Sequence, residues 1–209
     1  MRLNISMFLV VLTTTLCFAD ISVGETIALK DNNGKITYLI NGKETNNIPE
    51  LYTKESEPEL YCLALNIYHE SRSDNMAGQA AVADVVLNRV TDARYPNTIC
   101  EVVKEGPIRE SWKTRQDPNL SDSERKFNPV RNRCQFSWWC DGKSDEPRQP
   151  LAWRKAQEIA YHLVHNNLFR GISEGATHYH ATYVDPHWNK SMIEIGRIGE
   201  HIFYRSLPK

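Results

Sequence analysis

Apolar positions recur at three- and four-residue spacing between Glu59 and Ser71, where Leu60, Leu63, Ala64, Ile67 and Tyr68 form one stripe and predict an amphipathic helix. From Gly78 to Val90 the pattern is apolar nearly all round, with Ala80, Ala81, Val82, Ala83, Val85, Val86 and Leu87. A helix of that kind belongs in the centre of a domain. A third helix is expected from Leu151 to Leu168, with Trp153, Ala156, Ile159, Ala160, Leu163 and Val164 on one face and Pro147 and Pro150 as start signals. A short helical turn is expected at Thr98–Val103, after Tyr95-Pro96. The Thr- and Tyr-rich run Ala176–Val184 reads as a strand or extended segment, and Ile195–Tyr204 adds apolar positions without a clear period. The expected fold class is mainly α with minor β.

Two stretches break the pattern. Residues 20–59 hold eight acids and four lysines with few large apolar residues, and the turn-like Asp31-Asn32-Asn33-Gly34 lies between Thr26–Leu29 and Ile36–Ile40. This reads as a small hairpin followed by a polar linker, a solvated leader rather than a binding surface. Between Val103 and Cys134 there is no sustained period, but there are three prolines and Arg109, Lys113, Arg115, Arg125, Lys126, Arg131 and Arg133. Loops of such length are usually functional or tolerated insertions. A flap over a groove and a plain surface excursion both fit.

The extreme N-terminus has its own signature. Arg2, the apolar Met7–Leu12 and the exit Cys17-Phe18-Ala19 make the three regions of a secretory signal, with cleavage expected after Ala19. A retained anchor is the competing reading, disfavoured because the apolar run is short of the roughly 20 residues a membrane span needs. Leu16, not a small residue, precedes Cys17, which argues against lipidation. The expected division is a signal at 1–19, a leader at 20–59 and a packed domain at 60–209, the mature protein being secreted or periplasmic with no stable membrane insertion. Removing the signal leaves Cys62, Cys100, Cys134 and Cys140. An even number in an exported chain favours two disulfides, with the pairing open. No CxxC knuckle supports a zinc–thiolate site.

Composition narrows the function classes. The 209 residues carry 25 Lys plus Arg against 26 Asp plus Glu, a net charge of −1, so nothing here draws in nucleic acid. The most informative residues are Ile67-Tyr68-His69-Glu70-Ser71-Arg72. Leu63, Ile67 and Glu70 stand at i, i+4 and i+7, which turns the carboxylate toward the interior. Such an acid either pairs with Arg72 or Arg89, caps a neighbouring helix, or has its pKa raised by partial burial so that it serves as a proton donor near neutral pH. The last is what cutting a glycosidic bond requires.

Ordered blocks then carry a resemblance. Leu65–Arg72, Gly78-Gln79, Val85–Val90, Tyr95–Val103, Cys134-Gln135-Phe136-Ser137-Trp138, Cys140-Asp141-Gly142 and Gly175–Ala181 resemble, in the same order, the SleB-like cell wall hydrolases, the family of the spore cortex-lytic enzymes. The resemblance spans about residues 60 to 205. It implies a compact, mostly α, lysozyme-like domain acting on peptidoglycan glycan strands, with Glu70 as the catalytic acid. Members are described as lytic transglycosylases. Cleavage between N-acetylmuramic acid and N-acetylglucosamine with a 1,6-anhydro end is thereby implied, needing one Glu as acid and then base, and neither cofactor nor metal. A monomer is expected.

Two departures from the family pattern matter. Ser73-Asp74 replaces Gly-Glu, which puts in doubt the role of that second acid, and the stretch 105–133 is long for the family. Gln135, Ser137 and Trp138 are expected to touch substrate through amide hydrogen bonds and aromatic stacking. Alternation in an extended segment puts Thr177 and Tyr179 on one face, and both are expected to hydrogen-bond near Glu70. Gln79 is a further candidate, while Asn88 and Arg89 suit either site orientation or helix packing. Two rival functions remain. One is a zinc-dependent N-acetylmuramoyl-L-alanine amidase built on His178, His180, His187 and His201 with Asp141 or Asp185, although no HExxH is present. The other is a non-catalytic peptidoglycan-binding module.

Overall fold

The computed structural model describes residues 26–30, 36–40, 42–45 and 50–207. The expected export signal and the expected Asp31–Gly34 turn lie outside the described residues. The chain forms two compact units, Met1–Pro49 and Glu50–Lys209. In the first, β1 (Thr26–Lys30), β2 (Ile36–Ile40) and β3 (Lys43–Thr45) form an antiparallel sheet in the order β1-β2-β3, with Thr26 opposite Ile40 and Tyr38 opposite Thr45.

The second unit is mainly helical. Its helices are α1 (Pro58–Ser71), α2 (Met76–Thr91), α3 (Ile99–Val103), α4 (Trp112–Arg115) and α5 (Pro150–His165). α2 is the central one: every residue from Gly78 to Val86 is buried. It starts two residues before the periodicity does, because Asn75 caps it by accepting the Gly78 N–H at 2.9 Å. α5 stops at His165, short of the expected Leu168, because Asn167 turns left-handed (φ 51°) and the Leu168 N–H reaches back to the His162 carbonyl at 3.1 Å. α1 and α5 pack with α2 around Leu63, Ile67, Val86, Ala160 and Leu163, all fully buried.

This unit takes in residues ahead of Leu60. Gln157 of α5 is fully buried, accepts the Leu51 N–H at 3.1 Å and donates to the Tyr52 carbonyl at 2.7 Å, while the Tyr52 hydroxyl donates to the Gln157 carbonyl at 2.8 Å. That reciprocal set fastens Glu50–Tyr52 to the domain, where sequence alone suggests linker. The polarity of the residues around Leu51 and Tyr52 hides the fact, since two apolar neighbours packed on the core make no periodic stripe.

Two disulfides fix the pairing that the sequence leaves open. Cys62–Cys100 ties α1 to α3 with Cα atoms 5.3 Å apart, and Cys134–Cys140 closes a short loop between cysteines six positions apart. The long aperiodic stretch is an excursion whose strands β4 (Ile108–Glu110) and β5 (Phe127–Pro129) pair antiparallel, Ile108 opposite Pro129. Three-residue strands are too short to display alternation. At its base the Gln135 N–H donates to the Glu105 carbonyl at 2.8 Å, and Gly106 lies so close to Cys134 that an added Cβ would come within 2.9 Å of its Cα.

A small antiparallel sheet in the order β6-β8-β7 closes the fold, from β6 (His178–Ala181), β7 (Ile193–Ile198) and β8 (His201–Arg205). Phe203 of β8 is fully buried against Ala81, Val82 and Val85, so the sheet packs on α2. Asp74 locks that junction. Its carboxylate accepts the Asn75 N–H at 2.7 Å and, across the fold, the Glu200 N–H at 3.0 Å, with His201 Nδ1 at 3.4 Å. A Cβ on Gly78 or Gly199 would stand 2.1 or 2.3 Å from it, so both positions need glycine. The acid that the sequence puts in doubt is thus a buried fastener between the start of α2 and the β7–β8 turn.

Candidate active site

Glu70 stands in the last turn of α1, four residues beyond the fully buried Asn66 and three beyond Ile67. The helix therefore aims it inward, where it lines a cleft of about 210 Å³ with Arg89, Gln135, Phe136, His178, Tyr179 and Trp188. Burial pushes its pKa up, opposed by a hydrogen bond from Tyr179 and by the charge of Arg89. The Tyr179 hydroxyl donates to Glu70 Oε2 at 3.2 Å. Tyr179's own pKa is raised well above the phenol range by burial and by Glu70, so it remains a donor. One carboxyl oxygen is thus held while the other is left for proton transfer.

What brings Tyr179 to Glu70 is a set of polar anchors on α2. Asp84, fully buried, is paired with Arg170 and accepts the N–H groups of Gly171 and Ser173, each at 3.1 Å, and the Ser173 hydroxyl at 2.6 Å. One turn on, Asn88 donates to Ser173 Oγ at 3.0 Å and to the Ala176 carbonyl at 2.9 Å. Arg89 Nε then donates to the Thr177 carbonyl at 2.8 Å. Asp84, Asn88 and Arg89 stand at i, i+4 and i+5, on one side of the helix. They guide residues 170–177 along α2 and deliver β6 in register, with the Tyr179 ring between His201 (5.1 Å between centroids) and Phe203 (5.6 Å).

The opposite wall comes from the disulfide-closed loop, which presents Gln135 and Phe136. The Arg89 guanidinium lies over the rings of Tyr95 and Phe136, at 5.2 and 5.4 Å. Burial lowers its pKa, yet a guanidinium remains protonated. His178 is held near pKa 4, by burial first and then by the charges of Arg89 and Arg94, and is neutral at physiological pH.

The pattern of the family described as cell wall hydrolase matches residues 73–204, well over half of the chain. The chain belongs to the cell wall hydrolase family. Among curated proteins, the chain is 44% identical over 59 residues to a spore cortex-lytic enzyme of Bacillus cereus, covering 28% of this chain and 22% of that protein. To the spore cortex-lytic enzyme of Oceanobacillus iheyensis it is 35% identical over 74 residues, covering 35% and 25%. The matches thus span about a quarter of those relatives' length. Among solved structures it is similar to the catalytic domain of the Bacillus cereus SleB protein (24% identity, TM-score 0.46, 77% of this chain and 98% of that one). It is likewise similar to the catalytic domain of the germination-specific lytic transglycosylase SleB from Bacillus anthracis (26% identity, TM-score 0.46, 76% and 100%).

Within this family member, the residues singled out from sequence divide into two groups. Glu70, Gln135 and Tyr179 meet in the cleft. Trp138 does not: it is 8% exposed, stacks on His69 at 4.5 Å and donates through Nε1 to Asn66 Oδ1 at 3.2 Å, so its face is spent on the core. Gln79 is buried too, and its amide donates to the Asp74 carbonyl at 2.8 Å, holding the α1–α2 turn. Ser137 is exposed outside the cleft lining. The Thr177 hydroxyl turns to His178 Nδ1 at 3.0 Å and not to Glu70; its backbone carbonyl is the part that matters, as the acceptor for Arg89.

Phe136 and Trp188 are cleft residues that sequence reasoning passed over, and His178, weighed there only as a zinc ligand, lines the cleft as well. Trp188 carried a signal: an exposed-type Trp within Asp185-Pro186-His187-Trp188, too polar a setting for core. Glu70 forms no ion pair with Arg72, whose guanidinium serves the Tyr68 carbonyl and ring. Among the described residues no three His, Cys, Asp or Glu side chains gather as a metal-holding group, and no helix is long and apolar enough to cross a membrane.

Proposed function

We propose that this cell wall hydrolase cuts the glycan strand of peptidoglycan between N-acetylmuramic acid and N-acetylglucosamine as a lytic transglycosylase, with Glu70 as general acid and then base. The observation that carries the reading is the half-buried Glu70 in an open cleft, its pKa raised by burial while Tyr179 donates to Oε2. Protonated Glu70 gives its proton to the glycosidic oxygen, and the C1–O bond breaks with positive charge developing at C1. The resulting carboxylate, steadied by the Tyr179 hydroxyl and by the Arg89 charge, takes the proton of the muramic acid C6 hydroxyl as that oxygen bonds to C1. The products are a 1,6-anhydro end and a free N-acetylglucosamine hydroxyl. One carboxylate suffices, because the nucleophile belongs to the substrate. Gln135 and Trp188 offer an amide and an aromatic face to the sugars on either side of the cut.

The reading includes export by residues 1–19, a spacing leader and a monomer working in the cell envelope. The test is mass spectrometry of fragments that the wild type and Glu70→Gln release from purified peptidoglycan. Anhydro-muramic ends that vanish in the variant are expected. Reducing ends dependent on Glu70 would transfer the bond cleavage to water, and free stem peptides released without Glu70 would overturn the reading.

A further inference from the structure

The excursion between α3 and the disulfide-closed loop carries a surface that the fold leaves uncovered. Its strands β4 and β5 are exposed at every residue but Glu110. A two-stranded ribbon covered on neither face gains little from burial. Yet Ile108 is 65% exposed, Phe127 52%, and Trp112 of the adjoining α4 59%. The register sets Ile108 opposite Pro129 and Glu110 opposite Phe127, so Ile108, Phe127 and Pro129 share one face of the ribbon, with Arg109 and Lys126 on the other. Arg109, Lys113, Arg115 and Lys126 are all exposed, and among the described residues none of them forms an ion pair. The Lys113 ammonium lies 5.9 Å from the centre of the Trp112 ring. The acids of the excursion are spent on local partners instead. Glu110 pairs with Arg125 at 2.8 Å, Asp122 lies 3.7 Å from the same guanidinium, Glu124 accepts the Ser121 N–H at 2.9 Å, and Asp117 accepts the Asn119 N–H at 3.0 Å.

We infer that the β4–α4–β5 excursion docks on the surface of an anionic phospholipid bilayer, with Ile108, Trp112 and Phe127 entering the boundary between headgroups and acyl chains and Arg109, Lys113, Arg115 and Lys126 meeting the lipid phosphates. Exposed cations alone would suit any polyanion. A hydrated polyanion, however, does not take three large apolar side chains out of water, whereas a bilayer surface accepts apolar and cationic side chains together. Trp112 beside Lys113 has the amphipathic character that settles at such a boundary. Arg109 and Lys126, on the far face of the ribbon, reach past its edges on flexible stems. The attachment is peripheral, through side chains, and no spanning segment is involved. It does not depend on the chemistry of Glu70. It does bear on where that chemistry takes place, because the root of the excursion is bonded to the cleft loop, the Gln135 N–H donating to the Glu105 carbonyl at 2.8 Å. A docked excursion therefore keeps the cleft at the glycan layer next to the bilayer.

The test is co-sedimentation with vesicles of the chain from residue 20 onward, which keeps every described residue and leaves out an apolar N-terminus that would bind lipid by itself. Vesicles of equal parts phosphatidylglycerol and phosphatidylethanolamine are compared with vesicles of phosphatidylcholine, at about 0.1 M salt, where charge still acts over roughly 10 Å. Binding to the anionic vesicles is expected, on the order of tenfold or more tighter than to the zwitterionic ones. Arg109→Gln with Lys126→Gln should weaken it about 30-fold, roughly fivefold for each cation at the surface. Ile108→Ser with Phe127→Ser should weaken it on the order of a hundredfold. The changed side chains are exposed, so both variants should melt with the wild type. As a readout free of polar substitution, tryptophan emission should shift to the blue on vesicle binding, and Trp112→Phe should still bind while losing most of that shift. No binding, equal binding to the two vesicles, no blue shift, or an apolar variant that binds like the wild type overturns the inference. Displacement by soluble poly(glycerol phosphate) with the apolar variant undiminished would make the cations a polyanion site, and vesicle-independent dimers that the apolar variant abolishes would make the patch an interface between copies; either result overturns it too. Cleavage of soluble glycan fragments should be unchanged in these variants, so failure to dock and failure of the Glu70 reaction are read separately.

Discussion

Replacing Tyr179 by Phe removes one oxygen and leaves the ring contacts to His201 and Phe203 in place. What is lost is the hydroxyl at 3.2 Å from Glu70 Oε2. A hydrogen bond to a charged group contributes about 1.5–3 kcal/mol and a neutral one about 1. Only the difference between protonated acid and product carboxylate acts on the chemical step, and the separation is long for an O–H donor, so the lower part of the range applies. The expected loss is about 1–2 kcal/mol of transition-state stabilisation, or roughly a 5- to 30-fold fall in kcat. The pH profile should move as well. The Tyr179 bond lowers the Glu70 pKa, so removing it raises that pKa further. Activity needs the protonated acid and falls as pH rises through its pKa; in Tyr179→Phe this descending limb should therefore shift to higher pH. Initial rates of glycan cleavage across pH, with thermal melting to confirm the fold, make the assay. A descending limb that stays in place or moves to lower pH, together with kcat unchanged within twofold, would refute the assignment of Tyr179 as the hydrogen-bonding partner of a general acid.

Other consequences lie in stability. Gly199→Ala combines a left-handed backbone (φ 61°) with a Cβ driven against the Asp74 carboxylate, and should destabilise by about 3 kcal/mol in urea unfolding. In an Asp74→Ala background Gly78→Ala, whose clash is with that carboxylate alone, should cost less than half of what it costs in wild type; additive costs would sink the wedge description. His178, held near pKa 4, and His201, also lowered by burial, are neutral in the fold and protonate first in the unfolded chain. Stability should therefore be full above pH about 6.5 and decline as pH falls toward about 4. Urea midpoints that stay level across that window would contradict the burial of these two rings, and His178→Gln should flatten the decline.

The parts of this fold that sequence makes legible are those whose cause is local. The stripe from Leu60 to Tyr68, the all-round apolar run of α2 and the face of α5 each state a helix and its buried side within one window, and Glu70 is visible as an acid at the end of such a stripe. Boundaries slip where the cause is a single polar cap, as at Asn75, or a left-handed residue, as at Asn167. The roles of polar residues are harder to read, because their partners lie far away in the chain. Gln79 and Trp138 have the chemistry of sugar contacts, yet their donors are used by the Asp74 carbonyl and by Asn66. Asp84, Asn88 and Arg89 share a helix side, a fact available from spacing alone. That the side faces residues 170–177 is not available, since those partners are 88 or 89 residues on.

The same reasoning explains why the cleft forms where it does. α1 supplies the acid from a locally determined helix, but the cleft exists only because α2 fixes β6 through three polar anchors and because the Cys134–Cys140 loop brings Gln135 and Phe136 to the other side. Arg89 belongs to both tasks at once. Its Nε is structural, its Nη1 is buried with no hydrogen-bond partner among the described residues, and its charge acts on Glu70. A side chain used only to hold β6 would satisfy itself within the protein, as Asp84 does with four donors from three residues. Arg89 stops short of this in a wall of the cleft, so one side chain both anchors the strand that carries Tyr179 and sets its charge beside Glu70.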